Sequence, residues 1–554
     1  MVKYVIVGGV AAGASAAARL RRCDEFGEIV LLERTAHVSF ANCGLPYYVG
    51  GEIRDSSRLL IQTPQALKQR FRIDVRVESE VLSVDCKRRC VVVRHRGGES
   101  DESVYEESYD KLLLCPGAKP IRPALKGIES ERIMTLRTIA DVENIQSRLC
   151  QVGQVPSSIA VIGGGFIGLE MADNLRCAGY DVVLVEAGNQ VLSPFDEDMA
   201  SIVLRTLQSN GVKLEIGRRV IAFEEKADLM GICLDDGRWF EASYVILAIG
   251  IQPDTAFLRG SGVALNARGY IQVDAHLQTN MDGVYAAGDA IELYRRGVEC
   301  PMTLALAGPA NRQGRCAADN MSGKSVRVAG MVGSSIVKVF DRTVACTGMN
   351  SRELSRLGIA YHEVVGHPMS HATYYPGAEQ MTLKLLFGED GRVLGAQGIG
   401  GAGVDKRIDV VATVISLGGT VGDLTELELC YAPPYSSAKD PVNMIGYMAE
   451  NVLDGMTTPI SYRELSQALN DGACLIDVRT PSEYAQGHLE GAINIPVDAI
   501  RDRLESIDKS RKIIVYCQVG LRGYYAERIL KQHGYDVRNL TGGYRFASFL
   551  LSSL

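Results

Sequence analysis

The sequence predicts an α/β fold of several domains, and three observations predict it. Two stretches run strand, glycine-rich turn, helix, strand, and each ends on an acidic residue. The C-terminal part, residues 460–554, alternates short apolar runs with helical stretches on the scale of one further small α/β unit. The chain's 554 residues suggest about three to five domains.

Composition narrows what such a chain does. Lys and Arg number 59 against 66 Asp and Glu, a net charge of −7, so no nucleic-acid partner is expected. Hydrophobic residues at 46% and charged residues at 23% are those of a folded globular chain. No apolar run reaches the 18 or so residues of a membrane span, so no membrane partner is expected. The apolar N-terminal stretch breaks at Gly8-Gly9 and leads into an Arg-bearing helix, which is a strand and turn and not a leader peptide. The 14 Cys are scattered without a C-x-x-C pair. That pattern disfavours a disulfide framework or a metal site and points to a reducing cytoplasm.

Taken in chain order, Lys3–Val7 is the first strand and Ala14–Arg22 the first helix, joined through Gly8-Gly9-Val10-Ala11-Ala12-Gly13. Glu28–Leu32 is the next strand and Glu33 closes it. A helix N-terminus above a glycine turn receives a pyrophosphate, and the closing carboxylate accepts from ribose hydroxyls. Here Gly8, Val10 and Gly13 occupy the three glycine slots, so Val fills the middle one. The pattern repeats at Ser158–Ile162, with Gly163, Gly165 and Gly168 filling the fingerprint, Leu169–Ala178 as the helix, and Asp181–Val185 ending at Glu186. Two such units imply two dinucleotide sites with electron or hydride transfer between the ligands. Thr279–Asp289 (TNMDGVYAAGD) then reads as a strand and tight turn ending in an acid. Residues 330–447 alternate strands, Ser335–Val339 and Met381–Phe387, with a helix at Lys406–Ser416. Asn451–Pro459 reads as a linker.

The two glycine fingerprints with T-x5-Y-A-x-G-D resemble the FAD- and NAD(P)H-dependent pyridine nucleotide–disulfide reductase family. Leu114–Ala118 (LCPGA) and Leu247–Asp254 (LAIGIQPD) resemble its domain-crossover segments. The run LIDVR at 475–479, GHLEGAINIP at 487–496, IVYC at 514–517 and GGY at 542–544 resemble a rhodanese domain. The resemblance implies two Rossmann-like dinucleotide-binding domains, an α+β interface domain that makes a homodimer, and a C-terminal rhodanese α/β domain. It divides the chain into an FAD-binding domain at 1–154 and 251–329, an NAD(H)-binding domain at 155–250, an interface domain at 330–450 and a rhodanese domain at 460–554. FAD and NADH are the implied cofactors, with NADPH as an alternative, and coenzyme A as ligand or part of the substrate. The implied cofactor residues are Gly8, Gly9, Ala11, Ala12, Gly13, Glu33, Arg34, Asn42, Val81, Pro116, Gly117, Gly164, Phe166, Ile167, Glu186, Gly250, Gly288, Asp289, Leu306, Ala307 and Tyr431. Cys115, where the family carries small or hydroxyl residues, reads as structural.

Ser39–Tyr47 (SFANCGLPY) carries one cysteine where disulfide reductases carry two, and Val38 stands in place of the other. A lone Cys43 facing a flavin stores oxidation as a sulfenic acid or as a mixed disulfide with substrate. The motif resembles the coenzyme A-disulfide reductase branch. Peroxidase and oxidase branches carry a His in the first glycine loop, where this chain has Val10-Ala11-Ala12, and its loss favours the mixed-disulfide route. Ser15, Arg19 and Arg22 share one helix face that suits coenzyme A phosphates. Ser39, Asn42, Tyr374 and Lys439 join them as substrate residues by the same resemblance, Tyr374, Tyr431 and Lys439 coming from the opposite subunit. Arg70 or Arg72 stands beside Phe71, where the branch has a basic residue.

Cys517–Arg522 (CQVGLR) lies between a strand and a helix and resembles a rhodanese active loop. Its backbone N–H groups and Arg522 would stabilise a thiolate or persulfide on Cys517. The expected activity is NAD(P)H-dependent reduction of coenzyme A persulfide, polysulfide or coenzyme A disulfide through Cys43, with Cys517 handling sulfur. Two other readings are an NADH oxidase and a sulfur carrier or redox sensor with a vestigial flavin half.

Overall fold

The computed structural model describes residues 1–97, 102–151, 158–298 and 300–551, so the expected boundary between residues 154 and 155 lies outside the described residues. The chain forms two compact units, one of residues 1–189 and 211–331, the other of residues 190–210 and 332–554. No helix among the described residues is long and apolar enough to cross a membrane. The architecture is α/β throughout the nucleotide-binding and C-terminal sheets, with an antiparallel α+β layer between them in sequence.

In the first unit the strand Lys3–Val7 is central to a five-stranded parallel sheet, flanked by Lys111–Leu114 and Glu28–Leu32 and completed by Val284–Ala286 and Asp74–Arg76. Both faces of a parallel sheet are covered, which is why these strands are apolar runs and not alternating ones. Tyr4, Val5, Ile6 and Leu112–Leu114 are all buried. The first helix is Ala11–Cys23, longer at both ends than Ala14–Arg22, because it starts directly from the glycine turn. The helix Ala307–Met321 packs against it, and the two backbones come so close that a Cβ on Gly314 would lie 2.1 Å from the Ala12 carbonyl oxygen. A second parallel sheet is ordered Lys213–Ile216, Asp181–Glu186, Ser158–Ile162, Tyr244–Leu247, Ile133–Met134. Its helix is Phe166–Cys177, starting three residues before the expected Leu169, again because the glycine turn feeds straight into helix. Two short strands, Ala118–Pro120 and Ile251–Pro253, pair antiparallel where the crossover segments were expected.

The second unit holds a five-stranded antiparallel sheet ordered Ser335–Val339, Arg342–Gly348, Val393–Gly400, Thr382–Phe387, His362–Gly366, backed by the helix Val404–Leu417. Residues 190–210, inside the expected 155–250 span, pack with this unit. The reason is a fully buried Lys384 whose Nζ meets Asp198 at 2.7 Å, Glu363 at 2.9 Å and Asp196 at 3.0 Å. A buried ammonium with three carboxylates at contact distance ties these segments together, since leaving any one charge unpaired is costly. The expected linker Asn451–Pro459 is shorter than the sequence suggests. The helix Pro441–Leu453 runs into it and the strand Pro459–Ile460 already pairs with Val537–Leu540. The C-terminal sheet is parallel, ordered Pro459–Ile460, Val537–Leu540, Ile513–Tyr516, Cys474–Asp477, Ile493–Asn494.

Candidate functional site

The two glycine turns are built alike. Gly8 and Gly163 have positive φ, +95° and +114°, and a Cβ on either would strike a carbonyl of the neighbouring strand end, Cys115 O at 2.0 Å or Ala248 O at 2.3 Å. A Cβ on Gly13 would lie 1.8 Å from Gly8 O, and one on Gly168 1.9 Å from Gly163 O. The middle slot differs. A Cβ on Gly165 meets nothing within 4 Å, so the fold itself accepts the Val10 found in the first turn. At the strand ends, Glu33 Oε2 accepts from Gly9 N–H at 2.8 Å and Glu186 Oε2 from Gly164 N–H at 2.6 Å. Each acid thereby braces its own turn. Phe166 and Ile167 open the second helix beside that turn.

Beside the residues that follow Glu33, an open cavity of about 340 Å³ is lined by Arg34, Thr35, Glu78, Glu80, Arg94 and Arg96. Arg34 pairs with Asp254, and Val81 is buried on the adjoining strand Ser79–Asp85. Pro116 and Gly117 follow the flanking strand Lys111–Leu114, Gly117 with φ +68° and its carbonyl accepting from Asp254 N–H at 3.0 Å. Gly250, with φ +121°, begins the return crossover. Gly288 N–H donates to Gln313 Oε1 at 2.7 Å, and half-buried Asp289 follows it. Leu306 and Ala307 stand at the start of the helix Ala307–Met321. The turns, cavity and paired acids of this unit fit two extended nucleotides. Among the described residues no cluster of metal ligands accompanies them. Cys115 is half-buried as a residue, and desolvation of its sulfur pushes the thiol well up, so it stays protonated.

Cys43 sits in the tight turn Asn42–Gly44 that leads into the helix Leu45–Val49, and the residue is exposed. Its sulfur is pushed up from the ordinary thiol range. Lost hydration at the sulfur is the largest cause, then the charges of Glu170 and Asp289, with Arg137 opposing. The positively charged Arg137 is fixed by Asp289 at 2.9 Å. Glu170 comes from the second glycine unit, on the helix Phe166–Cys177, and Tyr47 OH reaches its Oε1 at 3.4 Å. Burial raises the Glu170 carboxyl to about 7, against the opposing hydrogen bond from Tyr47. Ser39 has φ +48°, the left-handed region that non-glycine residues avoid, and its N–H donates to Gly9 O at 2.8 Å. The strained residue thus docks the cysteine segment onto the first glycine turn.

Tyr47, Arg137 and Glu170 were not among the expected site residues. Tyr47 stands four positions after Cys43 and Glu170 two after Gly168, but only the fold brings them together. A Glu170 carboxyl protonated below about pH 7 and ionised above it makes the Cys43 thiol harder to ionise on the alkaline side. Glu170→Gln is expected to remove that dependence and to raise iodoacetamide alkylation of Cys43 at pH 8 about two- to three-fold. An unchanged pH profile of alkylation would show that the two groups do not communicate.

The substrate-side residues are placed less simply. Ser15 Oγ bonds Asn311, and Arg19 is paired with Asp319 at 2.7 Å across the two packed helices. Arg19 therefore already has a carboxylate partner, whereas Arg22 is exposed with its guanidinium 5.4 Å from the Phe71 ring. Arg72 adopts a left-handed φ of +47° at the end of the helix Pro64–Phe71. In the second unit Tyr374 and Tyr431 are exposed and their hydroxyls lie 2.8 Å apart, with Lys439 exposed nearby in sequence. Sequence reading missed what holds them. Arg407, 2% exposed, bonds Ser370 O at 3.1 Å, Ser436 Oγ at 3.1 Å and Asp440 Oδ2 at 2.9 Å, stapling the two tyrosine loops together.

In the C-terminal sheet domain Cys517 is fully buried, and Gly520 N–H donates to its sulfur at 3.2 Å. Among the described residues this is the one loop N–H bonded to the sulfur, fewer than the loop's length promised. The helix Leu521–Gln532 starts immediately after, with its N-terminus toward the loop. Arg522 does not stand free. Glu483 holds it bidentately at 2.7 and 2.6 Å, and that pairing keeps the Glu483 carboxyl at about 2.

Residues 2–314 match the pyridine nucleotide-disulphide oxidoreductase family, residues 334–441 its dimerisation domain, and residues 461–545 the rhodanese-like domain. A coenzyme A disulfide reductase of Staphylococcus haemolyticus (strain JCSC1435) is 35% identical over 454 residues, 82% of this chain and 100% of that protein. The crystal structure of reduced Bacillus anthracis CoADR-RHD matches at a TM-score of 0.96 and 45% identity, over 100% of this chain and 98% of that one. A NAD-dependent persulfide reductase from A. fulgidus matches at a TM-score of 0.91 and 34% identity, over 98% of this chain and 99% of that one.

Proposed function

The chain belongs to the pyridine nucleotide-disulphide oxidoreductase family, and from that premise we propose that it uses NADH to reduce coenzyme A persulfide or coenzyme A disulfide at Cys43. The observation that carries this reading is the exposed Cys43 set against charged groups of both nucleotide units, Asp289 from the first and Glu170 from the second. Bound FAD would supply the relay of two electrons from NADH to sulfur. Gly8, Gly13, Glu33, the cavity beside Arg34, and Asp289 are the residues that would hold it, and Gly163, Gly168 and Glu186 those that would hold NADH.

The chain's own part is sulfur chemistry. The Cys43 thiolate attacks the coenzyme A sulfur of the persulfide, the S–S bond breaks, and hydrosulfide leaves. Cys43 is then joined to coenzyme A in a mixed disulfide, which two electrons and a proton cleave to thiolate and free thiol. With coenzyme A disulfide the leaving group is coenzyme A itself. Exposure of Cys43 admits a bulky thiol, and the absence of a second cysteine at Val38 keeps the mixed disulfide from being resolved internally. The persulfide substrate is favoured by the rhodanese-like domain on the same chain and by the persulfide reductase among the relatives. Steady-state NADH oxidation with coenzyme A persulfide, coenzyme A disulfide and oxygen in turn tests this. One hydrosulfide per NADH is expected with the persulfide, and oxygen consumption at the same rate would overturn it.

The same reading retains the division into FAD-binding residues 1–154 and 251–329, NAD(H)-binding residues 155–250, interface residues 330–450 and rhodanese residues 460–554. The active form is a homodimer in which Tyr374, Tyr431 and Lys439 of one subunit serve Cys43 of the other, supported by the match to the dimerisation domain and by the exposed tyrosine pair. The site of action is the reducing cytoplasm, in keeping with cysteines that are all free thiols among the described residues.

NADH is the preferred reductant. Glu186 is pinned by Gly164 N–H on one oxygen and Gly188 N–H, at 2.7 Å, on the other. Its charge stands where a 2′-phosphate would fall, and residues 187–190 bring no basic side chain. We expect kcat/KM for NADH to exceed that for NADPH by about ten- to a hundred-fold. Equal values would refute it.

A further inference from the structure

We propose that His367 is a positioning residue for the sulfur-carrying loop, holding the segment Thr541–Arg545 on which the backbone of Cys517–Gly520 is hung. This rests on the reading of Cys517 as the carrier of sulfur. His367 follows the edge strand His362–Gly366 of the antiparallel sheet and is buried. Its Nε2 lies 3.0 Å from Gly542 O and its Nδ1 3.0 Å from Thr382 Oγ1. A carbonyl oxygen only accepts, so Nε2 carries the proton, Nδ1 is bare, and the Thr382 hydroxyl donates to it. One tautomer satisfies both partners. Two residues earlier, Val365 N–H donates to Thr541 Oγ1 at 2.8 Å, so the strand end grips two consecutive residues of the segment.

The other side of that segment belongs to the loop. Tyr544 N–H donates to Cys517 O at 2.7 Å and Arg545 N–H to Gln518 O at 2.9 Å. Between them Gly543 lies so close that a Cβ would come 2.5 Å from Cys517 O and 2.9 Å from the nitrogens of both Val519 and Gly520. Gly520 N–H is the group that donates to the Cys517 sulfur. Contacts this tight leave no slack, so a displacement of Gly542 is passed to the donor that steadies the sulfur. Phe546 flanks the His367 ring at 6.1 Å between centroids, and burial holds the ring's pKa near 4, so the donor arrangement persists at neutral pH. A neutral donor to a carbonyl is also within the reach of glutamine, which makes His367→Gln the conservative replacement.

The test uses the full-length protein as wild type, His367→Ala, His367→Gln and Thr541→Val. Two quantities are read: hydrogen exchange of the amides at 518–520, and thiosulfate-to-cyanide sulfur transfer. In His367→Ala both should change, faster loop exchange and transfer lowered about five- to ten-fold, the scale of one lost buried hydrogen bond. His367→Gln should restore both to within about two-fold. Thr541→Val, which cuts the neighbouring tie and leaves the histidine pocket whole, should move both in the same direction. Loop exchange unchanged in His367→Ala and Thr541→Val, or a Gln variant as impaired as the Ala variant, would overturn the inference. Quickened loop exchange in a protein whose wild type transfers no sulfur would leave the positioning role standing and remove the sulfur-carrier reading instead.

Discussion

In Cys43→Ser, NADH-driven reduction of every sulfur acceptor is expected to fall by about a thousand-fold or more, because a serine hydroxyl neither attacks a sulfane sulfur at neutral pH nor forms a mixed disulfide. Cys517→Ser is expected to behave differently. Coenzyme A disulfide is small enough to reach an exposed Cys43 directly, so its reduction should stay within about two-fold of wild type. Only substrates whose sulfur must first be handed over, such as polysulfide or a protein persulfide, should be impaired. The measurement is kcat/KM for each acceptor in the two variants side by side. If Cys517→Ser lowers coenzyme A disulfide reduction as severely as Cys43→Ser, the two sulfurs form one obligatory relay and the division of labour is wrong.

The second large effect is expected from Gly13→Ala. The added methyl would lie 1.8 Å from Gly8 O, a backbone atom inside the central strand–helix unit, so neither rotamer change nor side-chain retreat relieves it. The helix must move off the strand, and with it go the N–H groups that would hold the pyrophosphate of bound FAD. Purified protein should be colourless, and its stability lowered by roughly 1–3 kcal/mol as in other overpacked cores. Gly165→Ala is the control from the second unit. Its methyl meets nothing within 4 Å, so the protein should fold normally and stay yellow, with only the KM for NADH raised by the loss of close backbone approach. Visible absorbance and thermal melts of the two variants decide the matter, and a fully flavinylated Gly13→Ala protein would refute the packing argument.

Much of this was legible in the sequence because it is local. A strand, a glycine turn and an acid one strand later are written within one βαβ unit, and both units fold as that spacing requires. The Val in the middle slot of the first turn looked like a departure. The structure shows that packing does not require glycine in this slot, since a Cβ on Gly165 in the same place has no close neighbour. Cys43 and Cys517 were legible for the same reason, each embedded in a short motif. The pairings were not legible. Tyr47 with Glu170, Arg137 with Asp289, and Arg407 with Asp440 join residues far apart in the chain or in unrelated loops, and no periodicity marks them. Helix ends were misjudged where glycine continues into helix, and the linker was overlong because Asn451–Leu453 complete a helix begun at Pro441.

The contrast in access between the two cysteines has a consequence under oxidative stress. Peroxide climbs the sulfur oxidation ladder at thiols it can touch, and Cys43 lies open whereas Cys517 is sealed beneath its loop. On the proposed roles, open access would leave the reducing Cys43 exposed to overoxidation to sulfinic acid, and burial would shield the carrier Cys517. A cell recovering from such an insult would hold a population of molecules still able to shuttle sulfur but unable to discharge it as sulfide.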